Sequence, residues 1–334
     1  MRILVTGGAG YVGSFSVRLL NASGHDVWVY DNLAMGHRGA VPAERLIVGD
    51  LLDQARLEEA MRAHRIEAVM HFAAFAYVGE SVTDPARYYK NNITGTLSLM
   101  DAMKARGIDR IVFSSTCATY GEPDKVPIDE STHQAPINPY GFTKLVIERA
   151  LEDYAHAYGW GYAALRYFNA SGAAEDGAIG EDHHPETHLL PLVLQVALGQ
   201  RSEILVFGDK YPTPDGTCIR DYIHVEDLAT AHLAALEQLA PGVKLKLNLG
   251  TGNGYSIREV LDCCRKVTGH PIPARIVDAR PGDPPSLIAD ASLARETLGW
   301  IPRYTSLESI VKTAWDWHRN HPKGYDDRRP PEAD

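Results

Sequence analysis

The sequence is poor in cysteine, which limits both disulfide bonding and metal binding by thiolates. Its 334 residues contain four cysteines: Cys117, Cys218, Cys263 and Cys264. Their spacing matches no metal-ligand motif, and the adjacent Cys263 and Cys264 are poorly placed to bond each other. We therefore expect free thiols in a reducing cytoplasm, and no metal site.

Long apolar runs and an excess of positive charge are also missing. No stretch reaches the roughly 18 apolar residues of a membrane helix, and the chain enters a strand pattern at Ile3 without a signal core. We expect neither secretion nor a membrane partner. The formal net charge is -10, and the clustered Lys and Arg that nucleic acids require are not present. A phosphorylated small molecule remains compatible, because a few arginines and a helix N-terminus can bind it.

The first half of the chain alternates β-branched runs with amphipathic stretches, a pattern typical of βαβ units. The predicted strands are Arg2–Thr6, Asp26–Tyr30, Arg45–Val48, Ala68–Phe72, Arg110–Ser114 and Tyr162–Arg166. The predicted helices are Tyr11–Ala22, Gln54–His64, Pro85–Ala105 and Pro139–Tyr158. This order predicts an α/β fold, a doubly wound parallel (Rossmann) sheet with a smaller, mixed α/β substrate lobe.

The domain boundary is expected to be interleaved. Residues 1–170 should form the dinucleotide-binding domain and residues 171–334 the substrate domain, where Gly/Pro-rich loops separate short elements. A strand at Tyr222–Val225, a helix at Asp227–Leu239 and a strand at Leu245–Leu249 look like one more unit. We expect residues from about 222 to 250 to return to the first domain.

A glycine-rich turn follows the first predicted strand. Gly7, Gly10 and Gly13 permit a tight turn, close backbone approach to a pyrophosphate and packing of the next helix on the strand. The second strand ends in Asp31, whose carboxylate can accept from a ribose 2'-hydroxyl and would repel a 2'-phosphate. NAD is thus favoured over NADP. Asp50 could accept from the adenine amino group or could cap the helix that begins at Gln54.

Tyr140 and Lys144 are four residues apart at the start of a predicted helix and therefore share one face. A nearby ammonium and a positive nicotinamide ring would both favour the phenolate, which could then remove a sugar hydroxyl proton. Ser114 and Thr116 lie at the end of the fifth strand, at the edge where ligands of open α/β sheets bind. A Tyr-x-x-x-Lys pair on a helix is common by itself. The glycine turn upstream makes a catalytic role the better interpretation here.

The chain resembles the extended short-chain dehydrogenase/reductase superfamily and, within it, the UDP-glucose (UDP-galactose) 4-epimerase family. The resemblance runs almost end to end. The matching segments are Thr6–Gly13, Asp31–Leu33, His71–Ala74, Val78–Ser81, Tyr88–Asn92, Arg166–Asn169, Tyr211–Thr213, Asp215–Thr217, Arg220–Val225 and His321–Tyr325. It implies an NAD-dependent enzyme that inverts C4 of a UDP-sugar through a 4-keto intermediate, and a homodimer formed through helices Pro85–Ala105 and Pro139–Tyr158.

Residue roles carry over from the same resemblance. Tyr140 is the base and then the acid, Lys144 holds the ribose, and Thr116 is the hydroxyl partner at a position where other members have Ser. Cofactor contacts are implied for Gly7, Gly10, Tyr11, Val12, Gly13, Asp31, Asn32, Asp50, Leu51, Phe72, Ala73, Ala74, Asn91, Ser114, Tyr140, Lys144 and Phe168. Substrate contacts are implied for Thr116, Tyr140, Asn169, His188, Leu189, Leu205, Phe207, Arg220, Tyr222, Arg280 and Asp283.

Three departures and two rivals bear on the substrate. His188 stands where many members carry Asn, Ala76 where some carry Lys, and Leu287 where residue size varies with acceptance of 2-acetamido sugars. The segment Thr116–Tyr120 has no carboxylate, which argues against a dehydratase. A UDP-pentose 4-epimerase and a non-catalytic NAD-sensing protein remain the alternatives.

Overall fold

The computed structural model of the chain describes residues 1–280 and 282–326. Its strands are β1 (Arg2–Thr6), β2 (Asp26–Asp31), β3 (Leu46–Val48), β4 (Ala68–His71), β5 (Arg110–Thr116), β6 (Gly161–Tyr167), β7 (Asn169–Ser171), β8 (Ile204–Phe207), β9 (Ile219–His224), β10 (Lys244–Leu249), β11 (Gly254–Ser256), β12 (Ala274–Val277) and β13 (Ser286–Leu287). The helices are α1 (Tyr11–Ala22), α2 (Gln54–Ala63), α3 (Val78–Thr83), α4 (Pro85–Tyr88), α5 (Gly95–Ala105), α6 (Pro139–Tyr158), α7 (Leu189–Ala197), α8 (Val225–Gln238), α9 (Ile257–Thr268), α10 (Ser292–Leu298) and α11 (Leu307–Asn320).

Seven parallel strands form the central sheet, in the order β10-β6-β5-β4-β1-β2-β3. Buried apolar side chains cover both faces: α1 and α8 contribute to one core, and α2, α5 and α6 to the other. The predicted fold class is confirmed. Strand order reverses beside β1, the place where doubly wound sheets bind nucleotides.

The chain returns to this sheet after leaving it. Strand β10 pairs in parallel with β6, from Lys244 opposite Tyr162 to Leu249 opposite Tyr167. Helix α8 precedes it and packs against α1. The smaller lobe holds a four-stranded sheet with β9 at its centre, the β8–β12 pair, and helices α7, α9 and α11 around a separate core.

The stretch predicted as one helix, Pro85–Ala105, is broken. Helix α4 passes into a π-helical turn at Tyr89–Thr94 before α5 begins. Within that turn the buried Asn92 amide donates to the Phe75 carbonyl at 3.0 Å and to the Thr143 hydroxyl at 3.1 Å. The wider turn allows this tertiary hydrogen bonding, which helical periodicity does not encode.

Among the helices of the described residues, none combines the length and the apolar character needed to span a bilayer. The four cysteines are all free thiols.

Candidate active site

One large cavity lies at the carboxyl edge of the central sheet and has a volume of about 1300 Å³. The sequence-predicted residues that line it are Gly7, Gly10, Tyr11, Val12, Gly13, Asp31, Asn32, Leu51, Phe72, Ala73, Ala74, Asn91, Thr116, Tyr140, Phe168, Asn169, His188, Leu189, Leu205, Phe207, Arg220, Tyr222, Arg280 and Asp283. Residues from both lobes therefore meet around one space. Asp50, Ser114 and Lys144 are not in its lining.

The glycine turn forms the cofactor end of the cavity. Gly7 has a φ of +71°, and a Cβ there would lie 2.4 Å from the amide nitrogen of Ala73. A Cβ on Gly13 would lie 2.2 Å from the Gly7 carbonyl oxygen. Gly10 is the N-cap of α1, so the free amides of the first helical turn face this end. Because glycine has no side chain, its backbone amides can approach a dinucleotide pyrophosphate closely, so the residues present fit NAD.

Asp31 lies at the end of β2 and lines the same end of the cavity. Its carboxylate accepts from the amides of Ala9 at 3.0 Å and Leu33 at 2.8 Å, while burial raises its pKa. These two hydrogen bonds fix the orientation of the Asp31 carboxylate, so that it could also accept a hydrogen bond from a ribose hydroxyl.

Asp50 does not cap α2, because Asp53 is the N-cap and accepts from the Arg56 amide at 3.0 Å. The capping alternative for Asp50 is therefore wrong. Its carboxylate accepts from the Asn32 side chain at 3.0 Å and from the Leu52 amide at 2.9 Å. The contact between Asp50 and the adenine amino group stays a prediction.

Helix α6 brings the candidate catalytic side chains to the strand edge. Asn138 caps the helix by accepting from the Gly141 amide at 2.8 Å, and Pro139 occupies the first turn. Tyr140 is 9% exposed and reaches the cavity, whereas Lys144 is 2% exposed and donates to the Ser114 carbonyl at 2.7 Å. The Ser114 hydroxyl pairs with the Tyr167 hydroxyl at 2.7 Å. Lys144 and Ser114 thus support the cavity wall from behind.

Burial controls the protonation of this pair. Burial raises the pKa of Tyr140 above its usual value, opposed by a hydrogen bond with the Thr116 hydroxyl. Burial also lowers the pKa of Lys144 to about 7, although Glu148 opposes the shift. In the cofactor-free protein, burial therefore acts against a lowered tyrosine pKa, and Lys144 is itself desolvated. A phenolate here needs a further positive charge close by.

The nucleotide end of the cavity is built from side chains. The Arg280 guanidinium lies 3.8 Å from the centre of the Phe207 ring. Arg220 is paired with the Asp283 carboxylate and also donates to the Ile219 carbonyl at 2.8 Å. Two arginines and an aromatic face are the groups that a diphosphate and a planar base require.

Sequence reasoning missed several residues that line the cavity. Tyr77, Tyr167, Glu181 and His183 are among them. Their types fit no short motif, and topology alone brings them to this edge. The signal that was available is the spacing Glu-x-His-x-x-Glu-x-His over residues 181–188.

Known proteins resemble this chain in both sequence and fold. The model of the NAD dependent epimerase/dehydratase family matches residues 3–250. A UDP-glucose 4-epimerase of Halalkalibacterium halodurans is 54% identical over 326 residues, 97% of this chain and 98% of that protein. The structure of UDP-glucose 4-epimerase from Brucella ovis in complex with NAD is 52% identical in sequence, with a TM-score of 0.91. The match covers 94% of this chain and 97% of that one. The structure of UDP-glucose 4-epimerase from Bifidobacterium longum in complex with NAD+ and UDP is 38% identical in sequence, with a TM-score of 0.93. The match covers 97% of this chain and 100% of that one.

Proposed function

The chain belongs to the NAD dependent epimerase/dehydratase family, and on that premise we propose that it interconverts UDP-glucose and UDP-galactose by inverting sugar C4. The observation that carries the proposal is the single cavity that joins the glycine turn to Tyr140, Thr116 and the two arginines. Relatives of the same length are UDP-glucose 4-epimerases, and solved structures of the same fold bind NAD or UDP.

Each wall of the cavity has a separate task in this reaction. The glycine turn and Asp31 would hold NAD, which would supply the hydride acceptor and donor for sugar C4. Tyr140 takes the C4 hydroxyl proton and later gives it back, so no external oxidant or base is consumed. Thr116 shares that proton through its hydroxyl. When NAD is bound, its positive nicotinamide ring would favour the Tyr140 phenolate against the effect of burial.

Replacing Tyr140 by Phe tests the base assignment. Loss of the phenol oxygen should lower kcat by about 100-fold to 10,000-fold, because proton transfer at C4 loses its acceptor. NAD binding should persist, since the ring still fills the wall. Epimer formation from UDP-glucose, UDP-galactose, their N-acetyl counterparts and UDP-pentoses should be quantified without added oxidant.

Tyr154→Phe is the matched control, because Tyr154 lies on the same helix and bonds Asp101 away from the cavity. Near-normal turnover in Tyr140→Phe would refute the assignment. If the wild type preferred a UDP-pentose, the substrate assignment would change to that sugar and the base assignment would stay. Bound NAD with no turnover of any UDP-sugar would favour the non-catalytic reading.

We infer that the chain forms a homodimer through the regions predicted from the sequence, Pro85–Ala105 and Pro139–Tyr158. Tyr89, Leu97 and Phe142 are 39%, 36% and 44% exposed, and the Phe142 and Tyr89 rings lie 6.2 Å apart. An apolar strip of this kind on α5, α6 and the π-helical turn suits a two-fold four-helix contact.

Glutamate at both Leu97 and Phe142 should convert the dimer to monomer, because two charges would be buried at each copy of the contact. Sedimentation velocity at micromolar concentration measures this. Ile301→Glu is the control, since Ile301 is 77% exposed elsewhere. A wild-type monomer under these conditions would exclude the dimer.

The remaining assignments concern organisation and place. We propose that residues 1–170 with about 222–250 bind NAD and that residues from 171 onward bind the UDP-sugar; residues 327–334 lie outside the described structure. The pairing of β10 with β6 supports this division. Four free thiols support a reducing, cytoplasmic location.

A further inference from the structure

Four side chains of one short loop converge at the edge of the cavity. They are Glu181, His183, Glu186 and His188, called here the His/Glu tetrad, and one potential ligand atom from each lies within 4.8 Å of the others. Both glutamates are buried, with 5% and 4% of their side chains exposed. We propose that the His/Glu tetrad binds one divalent transition-metal ion of the zinc type.

The distances within the tetrad suit a four-coordinate ion. The His188 Nδ1 atom lies 3.0 Å from Glu181 and 2.9 Å from Glu186, and the His183 Nδ1 atom lies 3.3 Å and 3.7 Å from the same residues. Zinc bonds of about 2.0–2.2 Å place tetrahedral ligands about 3.3–3.6 Å apart. The contacts to Glu186 use Oε1 for His188 and Oε2 for His183, and one ligand atom from each residue lies within 4.8 Å of the others, so side-chain rotations would have to bring the four atoms to that spacing.

The His183 imidazole has no well-formed hydrogen bond at Nδ1, which leaves this nitrogen available as a metal ligand. Within the described part of the chain, the buried Nδ1 of His183 has no hydrogen-bond partner, although it faces two carboxylates. Without a metal, imidazolium charge balances the two buried carboxylates, because, against the opposing effect of burial, Glu181 and Glu186 raise the pKa of His183 to about 9 and that of His188 to about 10. A metal would displace these protons. A divalent ion would accept the His183 lone pair and neutralise both glutamates.

The loop is held in place by groups outside the ligand set. Trp317 on α11 donates its indole N–H to the Glu181 carbonyl at 3.2 Å. The amides of Thr187 and His188 donate to Glu186 Oε1 at 2.7 and 2.8 Å, which leaves Oε2 on the side of His183. Such outer contacts orient metal ligands before the ion arrives.

The ligand types select the ion. Two imidazoles and two carboxylates, with no thiolate, suit zinc and its neighbours better than magnesium or calcium, which prefer oxygen alone. The cysteine spacing gave no reason to expect a metal, because the ligands are histidine and glutamate. With Nδ1 on the ion, neutral His188 carries its proton on Nε2, which remains a hydrogen-bond donor.

Metal binding by the whole enzyme tests the proposal directly. Purified chain without UDP-sugar should bind one Zn²⁺ per protomer in a chelator-competition titration, checked by elemental analysis after gel filtration. His183→Gln and Glu186→Gln should each weaken binding by at least about 100-fold, because outer-shell losses alone cost about 10–100-fold. His184→Gln is the matched control; His184 lies in the same loop, exposed and outside the tetrad.

The readout is independent of epimerase activity, so it is unaffected by failure of the proposed function. Co²⁺ loading of the wild type should give the intense visible bands of a four-coordinate site, which guards against variants that fail to fold. Weak bands of six-coordinate Co²⁺ would overturn the proposal. So would wild-type Zn²⁺ binding no tighter than that of His183→Gln, or an equal loss in His184→Gln.

Discussion

The two ends of the cavity use opposite means to hold a ligand. At the cofactor end, neighbouring stretches of backbone approach so closely that Gly7 and Gly13 cannot gain a Cβ. At the nucleotide end, Phe207, Arg220 and Arg280 extend side chains from distant parts of the chain. Close-packed backbone tolerates no added atom, whereas charged side chains can be removed singly. Single substitutions should therefore abolish ligand binding at the cofactor end and weaken it by degrees at the nucleotide end.

Gly7→Ala should have the largest effect on the cofactor end. The added Cβ would meet Ala73 at 2.4 Å in a backbone of positive φ, so the turn must move and dinucleotide binding should be lost. Gly24→Ala is the control, since Gly24 has a φ of +80° and open space around it. It should cost only about 1–2 kcal/mol of unfolding free energy and retain NAD. Isothermal titration with NAD and urea unfolding measure both; equal NAD affinity in the two variants would contradict the close-approach argument.

Lys144→Met should lower kcat by about 100-fold or more, because the charge near Tyr140 and the hydrogen bond to Ser114 are both lost. Lys104→Met is the control, since Lys104 is exposed and bonds Tyr158. Steady-state turnover measures the effect. Unchanged kcat would move Lys144 out of the catalytic group.

The same variant predicts a pH dependence of stability. Burial lowers the folded pKa of Lys144 to about 7 from its ordinary 10.5. Between these values the unfolded chain holds more protons, so the wild type should gain stability relative to Lys144→Met as pH rises. Urea unfolding of NAD-free protein at about pH 7 and about pH 9 measures the difference, on the order of 1.4 kcal/mol per pKa unit. A constant difference would show that Lys144 keeps its ordinary pKa in the folded protein, and a reversed difference would show that its pKa is raised.

Arg280→Leu should have the smallest of these effects and should act on the nucleotide end alone. Leucine keeps an apolar contact with Phe207 but cannot pair with a diphosphate, so KM should rise by about 10–100-fold with kcat changed less. NAD affinity should be unchanged. Arg275→Leu is the control, because Arg275 is exposed and pairs with Glu203. A fall in NAD affinity would show that the two ends are coupled.

The same contrast explains what the sequence could predict. The bounds of β1, α1 and α6 were predicted as observed, because hydrophobic period, glycine and proline signals agree there. The break in Pro85–Ala105 was missed, since it depends on tertiary bonds of Asn92. Phe207 and Arg220 could be nominated only by resemblance, because folding brings them together from separate strands. The tetrad lacks a familiar spacing and went unnoticed.

Strand β10 sets the order in which the protein can be completed during synthesis. The outer edge of β6 is covered by strand β10, Lys244–Leu249, whose residues emerge from the ribosome long after the glycine turn. Until then the nascent sheet presents an unpaired edge that other chains could join. Fragments cut near residue 170 would keep that edge permanently, so the two lobes are better expressed as one continuous polypeptide.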